Sequence, residues 1–134
     1  MSILNRYKNF LLGSILMLVT MSVSAQPFAF VLFYMSNCPH CQRFDPVLKR
    51  YADENHIPVL AYTFNGKSLP SFPNSFTPNQ DEVRHFFGNK APVAPSLFLV
   101  NRDTQKIFTL LVGEANINQL NQRVLEVLSQ EGVK

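Results

Sequence analysis

The sequence predicts an α/β fold: one domain with a mixed central sheet and flanking helices, in the order β-α-β-α-β-β-α. Three observations lead there. An almost uninterrupted apolar run, Phe28–Tyr34, gives way directly to a helical pattern at Pro39. Two apolar runs, 96–100 and 106–112, are joined by a segment of turn composition at 101–105. The chain then closes on a stretch, 116–129, whose apolar residues recur at helical spacing.

Each element follows from its residues. A continuous apolar strand such as Phe28–Tyr34 is expected at the centre of a sheet, buried on both faces. In Pro39–Glu54 the residues Phe44, Val47, Leu48 and Tyr51 fall on one helical face. Pro46 interrupts that helix, removing a backbone donor, and is expected to kink it. Residues 57–64 read as a second strand, and strand, helix, strand in this order imply a parallel crossover. Segment 65–79 is a loop by composition, with Pro70, Pro73 and Pro78 among Gly, Ser and Asn. A short helix is expected over 81–87, starting near Thr77-Pro78. The 96–100 and 106–112 runs form an antiparallel hairpin, ended by Gly113. Helix 116–129 turns Ile117, Leu120, Val124, Leu125 and Leu128 inward.

Residues 1–25 read as an export signal. Arg6 and Lys8 make a basic start, 10–23 is apolar and uncharged, and Val23-Ser24-Ala25 supplies the small residues that a signal peptidase reads. The apolar stretch falls short of the roughly 20 residues that span a bilayer, which favours a cleaved signal over an uncleaved anchor. Either outcome delivers the remaining domain, 26–134, across the membrane. Setting the leader aside also changes the charge balance. Of 12 Lys and Arg against 9 Asp and Glu, two basic residues lie in the leader, so the domain is almost neutral. Without an extended basic run it has no footprint for nucleic acid.

Both cysteines of the chain sit in one tetrapeptide, Cys38-Pro39-His40-Cys41. A structural staple gains most by closing a long loop, and this pair encloses two residues. Structural zinc needs four ligands, and the other histidines, His56 and His85, stand apart without ligand spacing. No metal or other cofactor is expected. Redox exchange is the remaining use. Cys38 falls at the start of the first helix, where free backbone N–H groups and the helix dipole favour thiolate over thiol. Cys38 is then the attacking sulfur, and Cys41, one turn into the helix, the resolving one. His40 can donate a proton or carry positive charge beside Cys38, and Pro39 favours the helix start. The plainer alternative leaves His40 a solvated helix residue.

The element order, with a CxxC at the first helix and a proline opening the third strand, resembles the thioredoxin fold over nearly all of residues 26–134. Pro46 resembles that superfamily's helix proline, and Gly113 the glycine that ends its last strand. The resemblance implies that Pro95 is the cis-proline facing the motif. Pro92 is a competing turn residue, but Pro95 stands directly before the strand. Ala94 and Pro95 would then pair with an extended substrate. The Pro-His dipeptide is similar to that of strongly oxidising DsbA-like enzymes and implies disulfide donation or shuffling. One departure is Leu32, six residues before Cys38, where many such proteins carry a buried carboxylate; proton transfer from Cys41 then needs water or another group.

A narrower resemblance is carried by Asn65-Gly66-Lys67-Ser68-Leu69-Pro70-Ser71-Phe72-Pro73, by 86–95 and by Phe98-Leu99-Val100-Asn101. These look like the F-type conjugative pilus assembly thiol–disulfide isomerase family, TrbB. It implies a periplasmic oxidoreductase or isomerase with cysteine-containing exported substrates, including proteins of a conjugative type IV secretion apparatus. A membrane or periplasmic redox partner would reset the cysteines. The alternatives are a general oxidative-folding or cytochrome-maturation thioredoxin, and a non-catalytic assembly adaptor in which Cys38 and Cys41 are dispensable.

Overall fold

A computed structural model describes residues 27–132; the expected leader, 1–25, lies outside the described residues. The apolar run forms β1 (Phe28–Tyr34) and takes a central place in a four-stranded sheet of order β2-β1-β3-β4. Here β2 is Val59–Thr63, β3 is Ser96–Asn101 and β4 is Ile107–Val112. Strand β1 pairs parallel with β2, Phe30 opposite Val59 and Tyr34 opposite Thr63. On its other side it pairs antiparallel with β3, Phe28 opposite Asn101 and Phe33 opposite Ser96. Strands β3 and β4 form the antiparallel hairpin, with a register shift between Leu97 and Phe98. The sheet is mixed, as the element order predicts.

Alternate side chains of β1 point to opposite faces, and each face has its own core. Phe30, Leu32 and Tyr34 join the larger core beneath α1 (Pro39–Glu54) and α3 (Ile117–Gln130). Val31 and Phe33 join a smaller aromatic core with Tyr62 and Phe98, against which Val83, Phe86 and Phe87 pack from α2 (Gln80–Phe87). The continuous apolar character of β1 is therefore the mark of a strand covered twice. Helix α1 buries Cys41, Phe44, Asp45, Leu48, Tyr51 and Ala52 along one stripe. Pro39 occupies its first turn, where a missing N–H costs nothing, and Pro46 lies in its interior.

The structure corrects some expectations. Strand β2 is shorter than 57–64. Helix α2 starts at Gln80 rather than at Thr77-Pro78, because Asn79 and Glu82 form a reciprocal capping box. The Glu82 N–H donates to Asn79 Oδ1 at 2.9 Å, and the Asn79 N–H donates to Glu82 Oε2 at 2.8 Å. Segment 64–79 is not pure loop. Phe76 makes a single parallel bridge to Tyr62, with Thr63 N donating to Phe76 O at 2.8 Å and Phe76 N to Ala61 O at 2.9 Å, so it covers the β2 edge. In α3 the buried residues are Leu120, Val124 and Val127, whereas Leu125 is 56% exposed. One step along a helix rotates a side chain by about 100°, so Leu125 cannot share the stripe of Val124. Among the described residues no helix is long and apolar enough to cross a membrane.

Candidate active site

The first turn of α1 meets the segment entering β3. Cys38 occupies the N-cap position in extended conformation, where the backbone N–H groups of His40 and Cys41 favour its thiolate. The turn before it is closed by the Cys38 N–H donating to Met35 O at 3.2 Å. Asn65, two residues past the end of β2, braces that turn. Its Nδ2 donates to Ser36 Oγ at 2.9 Å and its Oδ1 accepts from Thr63 Oγ1 at 2.8 Å. Across the site the Ala94–Pro95 peptide is cis, and Cys38 Sγ lies 3.9 Å from the Ala94 carbonyl oxygen. The structure thus brings Cys38, Pro39, His40, Cys41, Ala94 and Pro95 to one place.

Both cysteines are free thiols, and they are unequal: Cys38 is partly exposed, Cys41 only 2% exposed. Desolvation opposes ionisation of Cys38. The Cys41 thiol, the backbone N–H groups of Cys41 and His40, and the Arg43 charge outweigh it and hold the Cys38 thiol below its ordinary value. Burial pushes the Cys41 thiol from 9.0 up to about 12, against a backbone hydrogen bond from Met35 and with the help of the neighbouring Cys38. One thiol is set up to ionise and the other to stay protonated until needed. In the reduced protein, alkylation at mildly acidic pH is expected at Cys38 first; peptide mapping that found Cys41 labelled first would reverse the two assignments.

Sequence reasoning missed two members of this site. Gly113 ends β4 with φ +94, and its N–H donates to Pro95 O at 2.8 Å. That turn carries Glu114 over the first turn of α1. Glu114 Oε2 accepts from Arg43 Nε at 2.7 Å and Oε1 from Arg43 Nη2 at 2.8 Å, a bidentate clasp. His40 Nδ1 lies 3.1 Å from Glu114 Oε1 and 3.0 Å from Arg43 Nη2. A single ring nitrogen serves one of these at a time, accepting from Arg43 when bare and donating to Glu114 when protonated. Arg43, then visible one turn after His40, was open to sequence reasoning; Glu114 was not.

Hydrogen bonds from Arg43 and then His40 hold the Glu114 carboxyl down from 4.5 to about 2. A depressed carboxylate contributes above its ordinary value and is lost as pH falls through the depressed one, so the clasp is intact from mildly acidic pH upward. Its carboxylate partly neutralises the Arg43 charge that favours the Cys38 thiolate. Glu114→Gln is therefore expected to raise the alkylation rate of Cys38 at mildly acidic pH by about two- to threefold, an effect that shrinks with added salt. A slower or salt-insensitive reaction would show that Glu114 acts by holding His40 in place.

Other side chains settle into packing. Leu32 is 2% exposed in the larger core and brings no ionisable group there. Phe72 is buried, Phe86 and Phe87 pack on the smaller core, and Phe76 is 58% exposed. A cavity of about 340 Å³ opens beside the Ala94–Pro95 segment, lined by Phe87, Val93, Ser96, Phe98 and Val112. Among the described residues no three His, Cys, Asp or Glu side chains gather as a metal-ligand set.

A mixed sheet flanked by helices, with a CxxC at a helix N-terminus opposite a cis-proline, defines a thioredoxin-like domain. Solved structures agree on the fold. A thiol:disulfide interchange protein of the thioredoxin family from Chlorobium tepidum TLS superposes with a TM-score of 0.59 at 15% identity, over 75% of this chain and 79% of that one. A thioredoxin-related protein from Neisseria meningitidis serogroup B gives 0.56 at 17% identity, over 82% and 91%. Within that class, the chain belongs to the family described as TraF: F plasmid transfer operon protein, whose model matches residues 19–125. Protein TrbB of Escherichia coli (strain K12) is 36% identical over 104 residues, 78% of this chain. The chain spans 58% of the length of that relative.

Proposed function

We propose that this chain is a thiol–disulfide oxidoreductase of the periplasm that makes or shuffles disulfides in cysteine-containing proteins of a conjugative transfer apparatus. In this reading residues 1–25 export it and 26–134 are the working domain. The observation that carries the chemistry is the inequality of the two thiols at one helix terminus, with the exposed one beside the Ala94 carbonyl. The link to conjugation is supported by the family description and by the relationship to TrbB.

The bonds exchanged all lie between sulfurs. The Cys38 thiolate attacks a substrate disulfide, a bond forms between Cys38 and one substrate sulfur, and the other substrate sulfur leaves as thiolate. The Cys41 thiolate then attacks Cys38 Sγ, closing the Cys38–Cys41 disulfide and releasing the second substrate thiolate. Run backwards, the same steps donate a disulfide. The exposed Ala94 side of the site offers a carbonyl to an extended substrate segment. His40 and Pro39 tune the pair, the first by charge beside the Cys38 sulfur, the second by starting the helix.

The test is recovery of activity by a test protein whose disulfides have been scrambled, in a glutathione buffer, with wild type and Cys38→Ser compared. Recovery that depends on Cys38 is expected. Equal recovery with both would refute the enzymatic reading.

A further inference from the structure

Resolution by Cys41 poses a proton problem. Its thiol must ionise, yet it is 2% exposed in a site that opposes ionisation, and neither His40 nor Arg43 lies on its inward side; both are bound to Glu114 at the exposed surface. The inward stripe of α1 carries one carboxylate. Asp45 is 5% exposed and lies one turn beyond Cys41, between Phe44 and Leu48. Residues four apart on a helix have Cβ atoms about 5–6 Å apart on the same face, close enough for one water to bridge thiol and carboxylate.

The two carboxylate oxygens of Asp45 differ. Oδ2 accepts the Ser71 N–H at 3.2 Å, which ties segment 64–79 to α1. Oδ1 is buried with no hydrogen-bond partner. Leaving a buried carboxylate oxygen unpaired is costly, and a role for it is the natural explanation. The other ionisable groups of the enclosing elements face elsewhere; the Tyr51 hydroxyl, further along α1, donates to Asn121 Oδ1 at 3.1 Å. The Tyr34 hydroxyl, from β1, receives the Leu69 N–H at 3.1 Å and meets Ser75 Oγ. Lys49, on the next turn of α1, pairs with Asp53, and Arg123 of α3 donates to the Leu110 carbonyl and pairs with Glu126. Lys67 of segment 64–79 is exposed.

We propose that Asp45 is the proton acceptor for Cys41. The inference rests on the reading of Cys38 and Cys41 as an exchanging pair. As the mixed disulfide resolves, the Cys41 S–H bond breaks and its proton passes through one bridging water to Asp45 Oδ1. The electron pair left on Cys41 attacks Cys38 Sγ, the Cys38–substrate bond breaks, and the pair departs on the substrate sulfur. In the reverse direction Asp45 returns the proton to Cys41. The carboxylate that Leu32 does not supply from β1 is supplied from the helix itself.

Asp45→Asn is the informative variant, because an amide keeps an oxygen for the Ser71 N–H while losing the base. The reduced protein is mixed with a chromogenic aryl disulfide and followed in a single turnover between about pH 6 and pH 9. Attack by Cys38 releases one aryl thiolate and resolution by Cys41 releases the second. In Asp45→Asn the first release is expected to keep its rate and the second to slow by roughly tenfold or more. Its rate should also climb about tenfold per pH unit, following the thiolate fraction of an unassisted Cys41, where wild type stays flatter. A second phase with wild-type rate and pH profile overturns the proposal. So does slowing in Asp45→Ala that Asp45→Asn does not share, since that would assign Asp45 to holding Ser71. Absence of the first phase in wild type would instead overturn the exchange reading itself.

Discussion

Cys41→Ser is expected to yield a protein that captures substrates and does not let them go. Cys38 keeps its place at the N-cap, its backbone N–H neighbours and the Arg43 charge, so it still attacks. The serine hydroxyl is no nucleophile toward a disulfide, and turnover is expected at about one-hundredth of wild type or below. Loss of the Cys41 side-chain hydrogen bond moves the Cys38 thiol back toward its ordinary value, so the first attack slows too, but by less. Covalent complexes should accumulate in periplasmic extracts separated without reductant and vanish on reduction. In cells carrying a conjugative plasmid, the captured proteins should include cysteine-bearing components of the transfer apparatus. Cys38→Ser must remove every complex. Turnover by Cys41→Ser at the wild-type rate, or complexes that persist without Cys38, would assign the chemistry elsewhere.

Phe33→Ala is expected to be the most damaging single change to stability. The ring is fully buried and lies 5.0 Å from Tyr62, 5.2 Å from Phe86, 5.0 Å from Phe87 and 5.8 Å from Phe98 between centroids. It is the piece around which α2 docks on the sheet. Removing a buried ring of this size costs about 3–5 kcal/mol in transfer and cavity terms. That is a large share of the roughly 5–15 kcal/mol that holds a domain together, and it lowers Tm on the order of 15 °C. Phe76→Ala, at a side chain 58% exposed, should stay within about 0.5 kcal/mol of wild type. Thermal or urea unfolding of the two variants side by side decides the matter. A small shift for Phe33→Ala would mean that the second core contributes little and that α2 is loosely held.

What could be read directly from the chain was local or periodic. Phe28–Tyr34 announces a strand covered on both faces, and that is where β1 lies, between two cores. Pro39 and the spacing of Phe44, Leu48 and Tyr51 place α1 from Pro39 to Glu54, and the tetrapeptide then falls at its N-terminus without further information. The hairpin and its ending at Gly113 follow from turn composition. These features depend on residues a few positions apart, whose backbone preferences and side-chain periodicity are set before the chain is compact.

Tertiary structure decided whatever depends on partners distant in sequence. Glu114 joins Arg43 and His40 only because β4 delivers Gly113 beside Pro95, and no spacing rule connects positions so far apart. Nothing in the sequence pattern marks out Asp45; its burial, its bond to Ser71 and its unpaired oxygen exist only once segment 64–79 closes over α1. Phe76 looked like loop and is a sheet residue, since pairing with Tyr62 requires an open β2 edge. Leu125 looked inward and faces out, because the stripe that meets the sheet is narrower than the apolar residues available to fill it. Local preference names the elements and puts Cys38 at a helix N-terminus, while the Glu114 clasp and the burial of Asp45 are set by packing, where distance in space replaces distance along the chain.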